Sequence, residues 1–379
     1  MVEPGPSPKW RTRLPGMLRL LTVLVFLYLF LVAIKSLETG IGSLGENVVD
    51  SIFSAVSSPM TALAAGILAT VMVQSSSATT AIIVGLVGAG VMTAEAAVPM
   101  VMGANIGSAV TSTLAALGHI RHGVYFERGF AAATMQDFYN ILAVLIFMPL
   151  EMGFGVISRS ARFLADRMDW MPSGAGGETS WLGDIIKAPV VVVEQWLNSW
   201  LSPRATGVIL IILGLVLLFL ALFVVTRQMK LLMSGRIENA VNSILGKSRG
   251  LMAVLVGVVM TLAVQSSGIV NSIMVPLVAA GLLSMNNAFP VILGADLGTT
   301  ATAVLASVAS ESREALVIAM AHVVLNTLGI LIFFPQRARR IPIGMALWMA
   351  RVAVNNKTWV AVYIIGVFIA LPVLILVLS

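Results

Sequence analysis

The 379-residue chain contains no cysteine, so neither a disulfide nor a thiolate metal site can be built. Three histidines leave little material for an all-histidine metal centre. Charge is equally scarce: Asp, Glu, Lys and Arg make up 11% of the residues, where soluble domains carry about a quarter. A cytosolic enzyme, a disordered protein and a disulfide-stapled secreted domain are all excluded. No P-loop, no hydrolase elbow and no paired carboxylates at helical spacing are found, so enzyme chemistry is not expected. What is present is apolar: 58% of residues are hydrophobic and the mean hydropathy is +0.99. One water-soluble globule cannot hide that much apolar surface, so lipid must solvate much of it. The net charge of +6 does not call for nucleic acid, because basic residues of membrane proteins collect in cytoplasmic loops.

Along the chain, residues 1–16 are a basic, proline-rich lead with Pro4, Pro6, Pro8, Pro15, Lys9, Arg11 and Arg13. The apolar run 17–34 is long enough to span a bilayer. Lys35 follows where a signal peptide would need a small-residue cleavage site, so a retained helix with a cytoplasmic N-terminus is expected. The expected division is a lead, first span and extracellular segment over 1–58, then a repeat over 59–150 and an extracellular linker over 151–203. A span over 204–226 and a cytoplasmic linker over 227–250 follow. A second repeat over 251–335 and a basic segment with a final span over 336–379 complete the chain. The stretch from Glu151 to Glu194 reads as an amphipathic surface segment.

The second half repeats the first. Gly257 lies over Gly66, and the same offset holds without a gap to Leu114 and Leu305, with about two positions in five identical. Gly103-Ala104-Asn105-Ile106-Gly107 matches Gly294-Ala295-Asp296-Leu297-Gly298, and past a short gap Asn140 and Pro149 match Asn326 and Pro335. Charge bookkeeping orients the copies. Residues 36–58 hold no Lys or Arg, whereas 227–250 hold Arg227, Lys230, Arg236, Lys247 and Arg249. The segment after the first copy opens with Glu151, and that after the second carries Arg337, Arg339 and Arg340. The copies should therefore enter the membrane from opposite sides, an arrangement that places a transport site at their interface.

The expected fold class is all-α: a polytopic membrane protein with two inverted-topology repeats, each holding a re-entrant helical hairpin. The reason is length. The apolar runs flanking Gln74-Ser75-Ser76-Ser77, and those flanking Gln265-Ser266-Ser267-Gly268, are each shorter than the 20 or so residues a span needs. Irregular backbone at that depth survives only where protein or water satisfies it. Opened turns leave helix N–H groups that suit an anion and carbonyls that suit a cation. The side chains at the tips suit both: Gln74, Ser75, Ser76, Ser77, Thr79 and Thr80 in one copy, Gln265, Ser266, Ser267, Asn271 and Ser272 in the other. A second pair of breaks is expected at 103–111 and 294–302, with Asn105, Ser108 and Thr111 against Asp296, Thr299, Thr300 and Thr302. No Lys or Arg lies in either tip, so an anion there would rest on dipoles, hydroxyls and co-bound cations.

Bland readings stand beside these. Serine in an apolar helix often back-bonds to its own turn, and glycines often serve packing. Duplication of the interrupting position favours function. Asp296, an ionisable residue inside the membrane, takes a sodium or proton role by default. Asp137 and Asn140 read as supporting or capping residues, His119 and His122 as solvated loop residues, and His322 as buried and structural.

The two QSS elements, VQSSSATTAIIVGLVGAG (73–90) and VQSSGIVNSIMVPLVAAG (264–281), are each followed by an element of the type VPMVMGANIGSAVTSTLAAL (98–117) or FPVILGADLGTTATAVLA (289–306). In these the chain resembles the type II sodium-dependent phosphate cotransporters. The resemblance implies sodium-coupled symport of inorganic phosphate by alternating access in the plasma (inner) membrane. It implies phosphate binding by Gln74, Ser75, Ser76, Ser77, Gln265, Ser266, Ser267, Asn105 and Thr299. For co-transported sodium it implies Gln74, Ser77, Thr79, Thr111, Gln265, Ser267, Asn271, Asp296, Thr300 and Thr302. Two departures stand out: Gly268 where the first copy has Ser77, and Asp296 at an Asn-like position. Another oxyanion, proton coupling, an ion-conducting channel and a membrane scaffold stay open as alternatives. Both copies sit in one chain, so a monomer can hold a complete site, and a homodimer is compatible with that.

Overall fold

A computed structural model of the chain describes residues 16–45, 58–117, 123–168, 181–246, 250–310 and 312–379, with 50, 51, 54 and 56 between the first two stretches. The lead before residue 16, His119, His122 and the glycine-rich 173–177 lie outside the described residues. No strand occurs among the described residues, as expected for a chain whose backbone groups must be satisfied in lipid.

The first repeat begins at α2 (Pro59–Val73), after α1 (Gly16–Gly42). Its start is written in the sequence: Ser58 Oγ accepts from Thr61 N at 3.1 Å, Thr61 Oγ1 accepts from Ser58 N at 3.2 Å, and Pro59 needs no partner at the first position. After α2 come α3 (Ser76–Gly88), α4 (Ala94–Ser108), α5 (Val110–Ala116), α6 (Gly123–Phe154) and the amphipathic α7 (Val156–Ala165). Then α8 (Trp181–Asn198) and α9 (Pro203–Gly246) lead to the second copy: α10 (Leu251–Val264), α11 (Ser267–Ala279), α12 (Met285–Ala309) and α13 (Arg313–Phe333). The amphipathic α14 (Gln336–Asn355) and α15 (Thr358–Leu378) follow.

Among the described residues, six stretches are long and apolar enough to cross a membrane: Gly16–Gly42, Val124–Phe154, Pro203–Leu232, Met285–Ala309, Arg313–Phe333 and Thr358–Leu378. The chain is thus an all-α polytopic membrane protein. α6, α12 and α13 are mostly buried, whereas α1, α9 and α15 expose most of their apolar surface. Such a continuous apolar exterior (Val216, Phe223 and Leu374 among it) belongs in lipid. The four shorter apolar helices α2, α3, α10 and α11 have 13 to 15 residues. At 1.5 Å per residue each is about 20 Å long, short of the roughly 30 Å hydrocarbon layer.

The backbones of α2 and α4 touch, as do those of α10 and α12. A Cβ on Gly66 would overlap the Met100 carbonyl, and one on Gly103 the Leu63 carbonyl. Gly257 meets Val291, and Gly294 meets Val254, in the same way. Two helices run further than their apolar stretches: α1 to Gly42 and α9 to Gly246, so the region read as a cytoplasmic linker is largely helical. The repeats interlock: α3 packs on α12, α11 packs on α5 and α6, α7 packs on α13, and α14 packs on α6.

Candidate functional site

Each Gln-Ser-Ser element is a break between two helices, and the two breaks have the same conformation. Gln74 closes α2 with φ 57° and ψ 25°, and Gln265 closes α10 with φ 56° and ψ 27°. Among the described residues these are the only non-glycine residues with positive φ. A left-handed glutamine is held against steric cost, and its side chain shows how: Gln74 Nε2 donates to Val71 O at 2.6 Å, and Gln265 Nε2 donates to Leu262 O at 2.8 Å. The following serine restarts the helix. Ser75 Oγ accepts from Ala78 N at 3.2 Å, and Ser266 Oγ accepts from Ile269 N at 3.4 Å. The first N–H groups of α3 and α11 remain free of intrahelical partners, and the N-terminal dipole sits there. Ser76, Ser77 and Ser267 are buried in those first turns.

The matched threonines repeat the pattern. Thr111 Oγ1 donates to Gln74 Oε1 at 3.3 Å, and Thr302 Oγ1 donates to Gln265 Oε1 at 3.3 Å. Thr111 also joins the tips, because a side chain at Gly268 would begin 3.4 Å from its Cβ. The smaller Gly268 thus lies where the second tip passes close to the first copy.

Deeper in, the copies exchange partners. Asn105 of α4 meets two residues of α13: its Nδ2 donates to Asn326 Oδ1 at 3.2 Å, and its Oδ1 lies 3.0 Å from His322 Nε2. Asp296 of α12 meets two residues of α6: Gln136 Nε2 donates to Oδ1 at 2.5 Å, and Asn140 Nδ2 to Oδ2 at 3.4 Å. Gln136 Oε1 in turn accepts from Asn271 Nδ2 of α11 at 2.5 Å. No cation is paired with Asp296 among the described residues; two neutral amides solvate it. A buried carboxylate of this kind offers the anionic oxygens that hard cations take.

The structure thus brings Asn105, Asn271 and Asp296 into one network, and Gln74, Thr111, Gln265 and Thr302 into the matching tip contacts. Thr79, Thr80, Thr299 and Thr300 donate to carbonyls of their own helices: Ser75 O, Ser76 O, Asp296 O and Leu297 O. Each keeps lone pairs for a ligand. The second pair of breaks is present in one copy alone. Asn105 O accepts from Ser108 Oγ at 2.7 Å and Asn140 Nδ2 at 3.0 Å, so Ala109 N turns to Ile106 O and the helix interrupts between α4 and α5. α12 runs on unbroken through 294–302.

Gln136 is absent from the sequence candidates, and His322, read as structural, makes a direct bond into the network. The repeat carries a signal for both: each stands four residues before the matched Asn140 or Asn326. Asp137 lies mid-helix and fully buried, accepting from Thr113 Oγ1 at 3.1 Å and Tyr363 OH at 2.7 Å. At one end of the bundle Arg162 of α7 bridges Glu95, which opens α4, and Glu314, which opens α13 (2.7 Å to the latter).

A family model described as Na+/Pi-cotransporter matches residues 29–160 and 217–352, well over half of the chain. Sodium-dependent phosphate transport protein 2A of Ovis aries is 28% identical, over 100% of this chain and 70% of that protein. Its counterpart from Rattus norvegicus is 29% identical, over 98% and 70%. Sodium-dependent phosphate transport protein 2B of Homo sapiens is 28% identical, over 96% and 66%. No solved structure matches the chain.

Proposed function

The chain belongs to the Na+/Pi-cotransporter family, and on that premise we propose that it carries inorganic phosphate together with sodium ions across the plasma (inner) membrane by alternating access. The observation that carries this reading is the pair of identical left-handed breaks at Gln74 and Gln265, with Thr111 between the tips. The names of the relatives support the choice of sodium and phosphate. In this reading the hairpins α2–α3 and α10–α11 are re-entrant and enter from opposite faces. The N-terminus is cytoplasmic, and one chain holds a complete site.

Phosphate lies at the free N–H groups of α3 and α11, contacted by Gln74, Ser75, Ser76, Ser77, Gln265, Ser266 and Ser267, with Asn105 and Thr299 behind. No basic side chain neutralises it there, so sodium must. Sodium takes oxygens of Gln74, Ser77, Thr79 and Thr111 on one side and of Gln265, Ser267, Asn271, Asp296, Thr300 and Thr302 on the other. Anion and cation then stabilise each other, and coupling follows.

Uptake of labelled phosphate into proteoliposomes under an inward sodium gradient tests this. Accumulation is expected, with loss on Ser75→Leu or Ser266→Leu. Uptake that ignores sodium would refute the coupling. Flux that follows voltage without saturating would indicate a channel, and stronger competition by sulfate or arsenate than by phosphate would name another oxyanion.

A further inference from the structure

The two copies differ at two positions that touch. Asn105 corresponds to Asp296, and His322 corresponds to Gln136. In one pairing, Asn105 meets His322 Nε2, and the buried Nδ1 of His322 has no partner among the described residues. In the other, Gln136 reaches both ways: Nε2 to Asp296 Oδ1 and Oε1 to Asn271 Nδ2. Asn271 stands one turn behind the second tip. Its counterpart in the first copy is Thr80, whose hydroxyl only turns back to Ser76 O at 2.9 Å and Ser77 O at 3.2 Å. Gln136 therefore straps the second hairpin to the carboxylate of α12.

The strap has a second position built in. A cation at Asp296 Oδ1 is repelled by the Gln136 Nε2–H that now donates there; the other Nε2–H donates to Ser108 Oγ at 3.3 Å and is given up on reversal. Rotation of the amide turns Oε1 to the cation and Nε2 to Asn271. Asn271, whose Nδ2 now faces Gln136, turns with it and presents Oδ1, buried and without a partner among the described residues, to accept from Nε2. We propose that Gln136 is a positioning residue whose amide reversal reports cation binding at Asp296 to the hairpin α10–α11. This rests on the reading that Asp296 ligates the co-transported sodium.

The absence of cysteine makes the test direct. A single Gly268→Cys has room for its Cβ. Its maleimide labelling rate is followed in the purified full-length protein with sodium or with choline, beside the melting temperature. Sodium is expected to change the rate by about fivefold or more, an ordinary coupling. Adding Gln136→Leu should cut that response to less than about twofold while sodium still raises the melting temperature. Gln136→Asn, too short to reach both partners, should do the same and covers the case in which the leucine variant does not fold. If the asparagine or leucine variant keeps the full sodium response at position 268, the strap is overturned while cation binding stands. If sodium neither stabilises nor alters labelling in the Gly268→Cys protein, the cation reading itself falls, and the strap with it.

Discussion

The glycine crossings give the sharpest energetic test of this architecture. A methyl group on Gly103 would overlap the Leu63 carbonyl oxygen and stand 2.9 Å from Ile67 N. On Gly294 it would overlap the Val254 carbonyl. Backbone atoms cannot rotate aside, so each helix pair must separate by about an ångström, the gap that brings such atoms to ordinary van der Waals distance. Overpacking of this kind costs about 1–3 kcal/mol. The separation also loosens dispersion packing along the whole crossing, which places the cost near the top of that range. Gly85 lies inside α3 with nothing within 4 Å of its would-be Cβ. Its change to alanine should gain up to about 1 kcal/mol of helix propensity. Gly103→Ala and Gly294→Ala should therefore fall about 3 kcal/mol below Gly85→Ala in reversible unfolding from mixed detergent micelles, more than a hundredfold in the equilibrium. Uptake should fall with them, because α2 and α4 carry Gln74 and the run into Thr111. Equal stability of the Gly103 and Gly85 variants would refute the backbone contact and the hairpin placement built on it.

Three further outcomes are expected. Ser75→Ala and Ser266→Ala each remove a helix cap and should lose about 1 kcal/mol in the same unfolding assay, with the double variant additive; no loss would mean the hydroxyls do not cap. Tyr363→Phe removes the 2.7 Å donor from Asp137, whose Oδ1 already lacks a partner among the described residues; a loss of about 1–3 kcal/mol is expected, and a neutral result would show that Asp137 is solvated otherwise. The last concerns pH. Burial raises the Glu95 carboxyl, but the Arg162 guanidinium outweighs it and holds the group below its ordinary 4.5. A carboxyl lowered in the fold contributes stability above its unfolded value, and that stability is lost as pH falls through the lowered one. Both partners are more than a third exposed, so the effect is at most about 1 kcal/mol. Melting curves of the parent and Glu95→Gln should differ at pH 7 and draw together as pH falls below 4.5 through the lowered value; parallel curves would remove the ion pair from the stability account.

The sequence makes the breaks legible because local chemistry determines them. A Gln-Ser-Ser run between apolar stretches too short to span supplies a cap for one helix and a start for the next, and the structure puts both breaks there. Helix ends are less legible. Hydropathy marks where lipid stops, while α1 and α9 continue past it into polar sequence, since helical hydrogen bonds do not need lipid. The break at Ala109 is expected from the repeat in both copies and occurs in one, because it depends on a tertiary donor, Asn140, taking the carbonyl of Asn105.

The exchange of partners lies between these extremes. An internal alignment says which residues are equivalent and is silent on which meet. Two copies that pack on each other reciprocally carry a further constraint: if a residue of the first copy meets a position of the second, their counterparts meet as well. The contact of Asn105 with His322 thus demands one between Asp296 and Gln136, and both are present. Nothing local distinguishes Gln136 from a packing glutamine; the sequence marks it only through the repeat register, four residues before Asn140. It becomes specified once a single cross-copy contact is known, and so does the chemical difference between the halves. One half holds an amide and an imidazole, the other a carboxylate held by two amides. On the proposed transport reading, that carboxylate gives the cation a ligand whose counterpart in the other half, Asn105, is uncharged.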